Sequence, residues 1–271
     1  MLNKRQNMLL DYIISRGEAK NAELKEIMGD YSVMTLWRDL DRLEEEGQIK
    51  RIWGGAVAAG AVPKEREHNF NVRIKQNTEA KEEISRIAAD LIRPSHSYYF
   101  DAGSTIYTMT RFLKDERHTI ITSAANVAVE LAHRSNCAVT ILGGQLDAVT
   151  LSCSGSRSLE MLEDLNVEIA IMATSGYSSR SGFTCGSLNE SQLKKRVINK
   201  SLLTFMLLDH DKVGKNLPYT FSTLGSIDIL ITDEADEDLR LEAETHNVLL
   251  FYPGDGLDAK SRLEACEKLL R

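Results

Sequence analysis

The chain is poor in cysteine, proline, tryptophan and histidine (four, four, two and six among 271 residues), and each scarcity narrows what it can be. Cys137, Cys153, Cys185 and Cys266 form no CxxC pair, and no histidine stands at zinc-finger spacing from any of them. The expectation is therefore no metal, no cofactor and no dithiol redox centre, with buried inert thiols as the default. The histidines are scattered and form no HExxH. Long apolar runs are missing too. The most apolar stretch, Leu202 to Leu208, is far too short to span a bilayer and is interrupted by Thr204. The opening Met1-Leu2-Asn3-Lys4-Arg5-Gln6-Asn7 lacks the apolar segment of a signal peptide, so a cytoplasmic protein with no membrane partner is expected.

Positive charge is also short. Lys and Arg number 33 against 40 Asp and Glu, a net charge of −7, which excludes loose binding of nucleic acid over the whole surface. Even residues 1–57 carry nine basic against ten acidic residues. Any DNA binding must come from a local arrangement of side chains. What remains is ordinary for a soluble globular protein, 42% hydrophobic and 27% charged, and the length suits two domains of unequal size.

The first segment reads as three short helices and a hairpin. Met8, Leu9, Tyr12 and Ile13 recur at helical spacing up to Gly17. Asn21 is the expected cap of a second helix carrying Ala22, Leu24, Ile27 and Met28, and Ser32 of a third with the stripe Val33, Leu36, Leu40 and Leu43, ending at Gly47. Ile49 and Ile52 alternate with polar residues up to Gly54-Gly55, a short hairpin. Residues 58–78, Ala-rich and then charged, read as a linker. From residue 79 on, helical periodicity at Lys81–Ile92 alternates with strands expected at Tyr98–Asp101, Thr119–Thr122, Ala138–Leu142, Glu168–Ala173, Leu203–Asp209, Ile227–Thr232 and Val248–Phe251. Alternation of this kind predicts βαβ units and a largely parallel sheet covered on both faces.

The N-terminal unit meets the physical requirements of a helix-turn-helix, with a tight turn at Gly29-Asp30-Tyr31. With Val33, Leu36 and Leu40 facing inward, Met34, Thr35, Trp37, Arg38 and Asp41 face out. A hydroxyl, an aromatic plane and a guanidinium then reach the major groove, where Arg38 can read guanine or grip phosphate and Thr35 can do either. Lys50, Arg51 and Trp53 in the hairpin would supply backbone contacts. The bland alternative is a protein-interaction module anchored by Trp37 and Trp53.

In the larger domain, Asp101-Ala102-Gly103-Ser104-Thr105 lies between a strand and a helix. Glycine lets the backbone approach an anion, and hydroxyls and first-turn amides donate to it. Gly-Ser-Thr also makes ordinary turns. Further Gly/Ser loops follow at Gly143-Gly144-Gln145, Ser154-Gly155-Ser156-Arg157 and Gly176-Tyr177, at the strand ends where α/β sheets hold small ligands. Glu190 and Lys194 stand four residues apart and read equally well as a surface pair; Lys195 and Arg196 read as a solvated face. Lys212 could merely neutralise Asp209 and Asp211, or serve as the cation that a dianionic phosphate needs.

Ser32-Val33-Met34-Thr35-Leu36-Trp37-Arg38-Asp39-Leu40 and Arg51-Ile52-Trp53-Gly54-Gly55-Ala56-Val57 together resemble the DNA-binding signature of the DeoR family. Trp37 replaces the first arginine of the family's Thr-Ile-Arg-Arg-Asp-Leu run, and Trp53 replaces its wing histidine. The resemblance extends through the larger domain, which is similar to a sensor domain sharing its fold with ribose-5-phosphate isomerase. Asp101-Ala102-Gly103-Ser104-Thr105 is similar to the family's Asp-x-Gly-Thr-Thr, Glu190 with Lys194 to its Glu and Lys, and Asp209-His210-Asp211-Lys212-Val213-Gly214 to its Asp-Ser-Ser-Lys-Phe-Gly run. Ser123 stands where the family usually has asparagine. Arg73 and Lys81 sit at basic positions entering the sensor domain.

The expectation is thus an α/β protein: a winged helix-turn-helix (1–57), a linker (58–78) and a larger effector-sensing α/β domain with a mostly parallel sheet (79–271). The resemblance implies a repressor of carbohydrate genes, released from double-stranded operator DNA by a phosphorylated sugar. It would act as a homodimer or homotetramer, since symmetric winged helices read two-fold operators. The DNA-binding candidates are Ser32, Met34, Thr35, Trp37, Arg38, Lys50, Arg51 and Trp53. The effector candidates are Asp101, Gly103, Ser104, Thr105, Ser123, Gly144, Gly176, Glu190, Lys194 and Lys212. No catalytic residue is assigned. A sugar-phosphate isomerase or hydrolase with an accessory DNA-binding domain is the alternative, with Asp101, Glu190 and Asp209 as its acid–base candidates; a cysteine redox regulator finds no support in the spacing.

Overall fold

The computed structural model describes residues 2–270 apart from 17, 30, 53–54, 59–68, 95 and 135. The chain divides into two compact units, Met1–Lys64 and Glu65–Arg271. Among the described residues no helix is long and apolar enough to cross a membrane.

The first unit runs α1 (Lys4–Arg16), β1 (Glu18–Lys20), α2 (Asn21–Met28), α3 (Val33–Glu45), β2 (Ile49–Ile52) and β3 (Gly55–Ala58). Leu9, Leu10, Ile13, Leu24, Met28, Leu36, Leu40, Leu43 and Ile49 form its core. Leu10 is buried where Met8, expected inward, is exposed. The predicted hairpin is present, and β1, which sequence reading missed, joins it to give an antiparallel sheet in the order β1-β3-β2. Gly55 is required by this joint, since a Cβ there would lie 2.2 Å from the Ala19 carbonyl oxygen. Two expectations are corrected. Asn21 does not cap α2; Lys20 precedes the helix and its backbone N–H donates to the Glu23 carboxylate at 2.8 Å. Val33, expected inward, is exposed, and Asp39 is buried on the inward side with Leu36, Leu40 and Leu43. Ser32 does cap α3, accepting from the Thr35 N–H at 3.2 Å.

The second unit opens inside the expected linker. Ala58 closes β3, whereas Phe70–Arg73 is a short helix, α4, whose buried Phe70 donates its N–H to the Val149 carbonyl at 2.8 Å. Residues 59–68 of that linker lie outside the described residues. The chain continues through α5 (Thr78–Asp90), β4 (Ser97–Phe100), α6 (Ser104–Thr110), β5 (His118–Thr122), α7 (Ala125–Ala132) and β6 (Cys137–Ile141). After the two-residue strands β7 (Gln145–Leu146) and β8 (Cys153–Ser154) come α8 (Ser156–Glu163), β9 (Ile169–Ala173), β10 (Gly176–Ser178) and β11 (Gly182–Cys185). The remainder is α9 (Leu188–Lys200), β12 (Leu203–Leu208), β13 (Tyr219–Ser222), β14 (Ile229–Thr232), α10 (Glu237–Thr245), β15 (Leu249–Phe251) and α11 (Ala259–Leu269).

Each strand predicted in this domain joins one seven-stranded sheet in the order β15-β14-β12-β9-β4-β5-β6, and every pairing in it is parallel. Side chains alternate across it. Tyr98 and Phe100, Ile169 and Ile171, and Leu203 and Phe205 enter one core with α5, α6 and α7; Tyr99, Ala170, Met172 and Met206 enter the other with α9 and the small sheet β10-β11-β13. That period-two alternation with both faces covered explains the near-continuous apolar strands. The chain starts at β4, moves outward through β5 and β6, then returns to β9 on the other side of β4. The reversal between β4 and β9 is the topological switch point, where loops diverge and leave a crevice at the carboxyl ends of the strands.

Candidate functional site

On α3, Ser32, Met34, Trp37, Arg38 and Asp41 are exposed and Thr35 is half-buried. Met34 shows 71% of its surface and Trp37 46%. The Ser32 and Thr35 hydroxyls lie 2.9 Å apart at the start of the helix. Asp39 is turned inward and is gripped by Arg5, with Gln6 donating to it at 3.0 Å, so this carboxylate is withdrawn from the face. The hairpin folds onto α3 through Arg51. Its guanidinium pairs with Asp41 and stacks 5.2 Å from the centre of the Trp37 ring, and its backbone N–H donates to Glu44 at 2.6 Å. Lys50 and Arg38 are exposed, and Arg38 has no ion-pair partner among the described residues. Trp53 lies outside the described residues. The net result is a face with one uncommitted arginine, one arginine held by an acid and an exposed apolar Met–Trp pair.

The second site lies over the switch point. Asp101 follows β4 and is fully buried; its carboxylate accepts from the N–H of Ala173, the last residue of β9, at 3.0 Å, and pairs with Lys194 on α9. The Lys194 ammonium also donates to the Ala173 carbonyl at 3.0 Å, lies 3.3 Å from Glu190 and sits 5.1 Å from the centre of the Phe221 ring. Glu190 and Lys194 are therefore not a surface pair. Burial alone would drive this lysine neutral, but Asp101 and Glu190 outweigh it and hold its pKa above the ordinary lysine value. Ser123, one strand over from Asp101, accepts from the buried Tyr99 hydroxyl at 2.8 Å. Gly103 begins the turn into α6, and a Cβ there would stand 3.0 Å from that of Ala173, so glycine keeps the two loops of the switch point close.

Lys212 follows β12. It pairs at 3.1 Å with Asp209 at the end of β12, two strands from the Asp101 loop; the lysine that reaches that loop is Lys194. Asp209 belongs to a second charged group whose members the sequence scattered. Asn77 donates to Asp211 at 2.7 Å, and the buried Lys81 donates to the carbonyls of Gln76 and of Arg73, the latter at 2.7 Å. Burial lowers the Lys81 pKa to about 8 against the pull of Asp209. Burial also acts to raise the Asp209 carboxyl, yet Lys212 and Lys81 hold it below the usual range. Two glycines of the expected ligand loops have packing roles. A Cβ on Gly176 would lie 2.5 Å from the Lys215 carbonyl oxygen, and one on Gly144, at φ 141°, 2.4 Å from the Ser158 hydroxyl. Among the described residues no cluster of His, Cys, Asp or Glu could hold a metal. Cys153, Cys185 and Cys266 are buried, and burial raises the Cys266 thiol to about 12.

A family model described as the DeoR C terminal sensor domain matches residues 76–234, and one described as the DeoR-like helix-turn-helix domain matches residues 5–61. The HTH-type transcriptional regulator GolR of Listeria innocua is 32% identical over 231 residues, covering 85% of this chain and 90% of that protein. The HTH-type transcriptional regulator GlpR of Haloferax volcanii is 30% identical over 239 residues, covering 87% and 92%. The HTH-type transcriptional repressor GlcR of Bacillus subtilis is 31% identical over 199 residues, covering 73% and 76%. Among solved structures, ribose 5-phosphate isomerase A of Methanocaldococcus jannaschii aligns at a TM-score of 0.38 and 14% identity over 51% of this chain and 55% of that one, a likeness too low to bear on function.

Proposed function

Since the chain belongs to the DeoR family of DNA-binding helix-turn-helix transcriptional regulators, we propose that it is a repressor of carbohydrate genes, released from its operator by a phosphorylated sugar. The observation that carries the ligand half is the buried Asp101–Lys194–Glu190 cluster at the switch point of a parallel sheet. Three charged groups are expensive to bury, and such buried sets gather where a fold holds a ligand. Gly103, Ser104 and Thr105 then offer amides and hydroxyls to the phosphate. Lys194 orients the loop through Asp101, and Ser123 and Glu190 flank the ligand. Lys212 contributes only by sharing itself between Asp209 and the phosphate. Gly144 and Gly176 shape the loops without touching the ligand.

On the DNA side, Arg38 and Thr35 read the major groove, with Ser32, Met34 and Trp37 beside them and Lys50, Arg51 and Trp53 on the phosphates. Arg51 must exchange Asp41 for phosphate to do so. Two copies joined symmetrically would read a two-fold operator. A ligand regulates only if it binds the DNA-competent and DNA-incompetent states unequally. The test is calorimetry with sugar phosphates and their unphosphorylated parents, followed by operator binding with the tightest ligand. A preference for the phosphate, and weaker DNA binding in its presence, are expected. Equal affinity for sugar and sugar phosphate overturns the phosphate site, and turnover of the ligand would favour an enzyme.

A further inference from the structure

A buried polar group with no partner carries a desolvation cost that the fold does not recover, so each one asks for a reason. Two such groups stand over adjacent strands at the ligand end of the sheet. The Thr105 hydroxyl and both amide atoms of Asn126 are buried without a hydrogen-bond partner among the described residues. Thr105 is the second residue of α6, which follows β4; Asn126 is the second residue of α7, which follows β5; and β4 and β5 are paired neighbours. The segment 147–152 closes against the start of α7. The Leu151 carbonyl accepts from the Ala125 N–H at 3.0 Å, and Ala124 bridges to Ser152. Asn126 as a whole remains partly exposed, while its two amide atoms are shielded.

We propose that Asn126 is a specificity residue of the ligand site, reading a hydroxyl of the bound molecule one strand over from the Thr105 hydroxyl, which the reading above gives to the phosphate. This rests on the phosphorylated-sugar reading above and says which part of the ligand is recognised here. A carboxamide with both ends open needs a partner that accepts from its NH2 and donates to its carbonyl. An ionised phosphate or carboxylate only accepts and an ammonium only donates, whereas a hydroxyl does both. Asn126 therefore selects the polyol part and not the phosphate. Because the fold uses neither end of the amide, an apolar side chain of similar size at this position leaves the free protein as stable as before.

The test titrates the full-length wild type and Asn126→Leu with fructose 6-phosphate, ribose 5-phosphate, analogues of each lacking one hydroxyl, and inorganic phosphate, alongside thermal melts of the free proteins. The wild type should favour one hydroxylated phosphate over its deoxy analogue by about 10-fold or more. Asn126→Leu should lose that preference, bind inorganic phosphate as before and melt no lower. Asn126→Ser, smaller than asparagine, gives the same comparison should leucine clash. A preference that survives in both variants overturns the proposal. So does a lower melting temperature with an equal loss for every ligand, which assigns Asn126 to the fold. Failure of the wild type to bind any of the sugar phosphates removes the ligand reading itself, and this inference with it.

Discussion

In the first unit the candidates Ser32, Met34, Trp37 and Arg38 stand exposed along one helix and its cap, with Thr35 half-buried among them, whereas in the second Asp101, Glu190 and Lys194 are buried and meet across 93 residues of chain. The difference has an energetic side. Exposed charges are screened and cost the fold little to lose, so α3 can carry arginine, tryptophan and methionine outward while its core is built by Leu36, Leu40 and Leu43. Buried charges are stable only as a set. Lys194 without Asp101 and Glu190, or either acid without the lysine, leaves an uncompensated charge in the sheet's crevice. Function and stability are separable in the first unit and joined in the second.

The sharpest way to break this contrast is Lys194→Ala. Removing one partner of a buried ion pair should cost about 3–5 kcal/mol in chemical denaturation of the whole chain. A loss below about 1 kcal/mol, the range of surface pairs, would mean that the cluster is solvated in solution and the contrast false. Leu40→Ala comes next, at about 2–5 kcal/mol, because it opens a cavity in a small core. It marks what damage to the first unit's stability looks like in a thermal melt. Arg38→Ala should then weaken operator binding by about 1–3 kcal/mol and leave that melt unmoved. A gel-shift titration with unchanged affinity would take the α3 face out of the DNA site.

The smallest signal is a slope. Lys81 titrates near 8 in the folded chain against 10.5 for an ordinary lysine. Between those values the unfolded chain holds more protons, so stability rises with pH across that window; below about 8 both states are charged and the full burial cost stands. The melting temperature of the wild type relative to Lys81→Met should therefore climb from pH 8 to 10.5. Lys194, with its pKa raised, has the opposite sign: its contribution is present below 10.5 and fades as pH rises beyond. A flat difference across the first window would show Lys81 to be solvated.

Much of the architecture was legible in residue order, for reasons that differ by element. The strands of the parallel sheet were readable because burial on both faces makes each an apolar run between helical patterns, as at Leu203–Leu208. β1 was not readable: Glu18-Ala19-Lys20 has no apolar alternation and is a strand only because β3 lies beside it. Asp39 was hidden for a similar reason. Periodicity puts it near the inward stripe, but only Arg5 and Gln6, arriving from α1, make a buried carboxylate tolerable there.

Of the candidate site, the loop Asp101–Thr105 was visible as a Gly-Ser-Thr turn between strand and helix, and Glu190 with Lys194 as a spacing and a resemblance. That these two are buried on Asp101, that Lys212 belongs to Asp209, and that Gly144 and Gly176 make room for backbone and hydroxyl atoms were decided by tertiary structure alone. Asn126 carries no sequence signal at all; its interest comes from the partners it lacks. Sequence by itself determined the alternation of helices and strands in the larger domain, its largely parallel sheet and the outward placing of Met34, Trp37 and Arg38, because these follow from local periodicity. Which charges face one another was left to the fold, because desolvation and pairing energies depend on distances between residues far apart in the chain, and no local pattern encodes them.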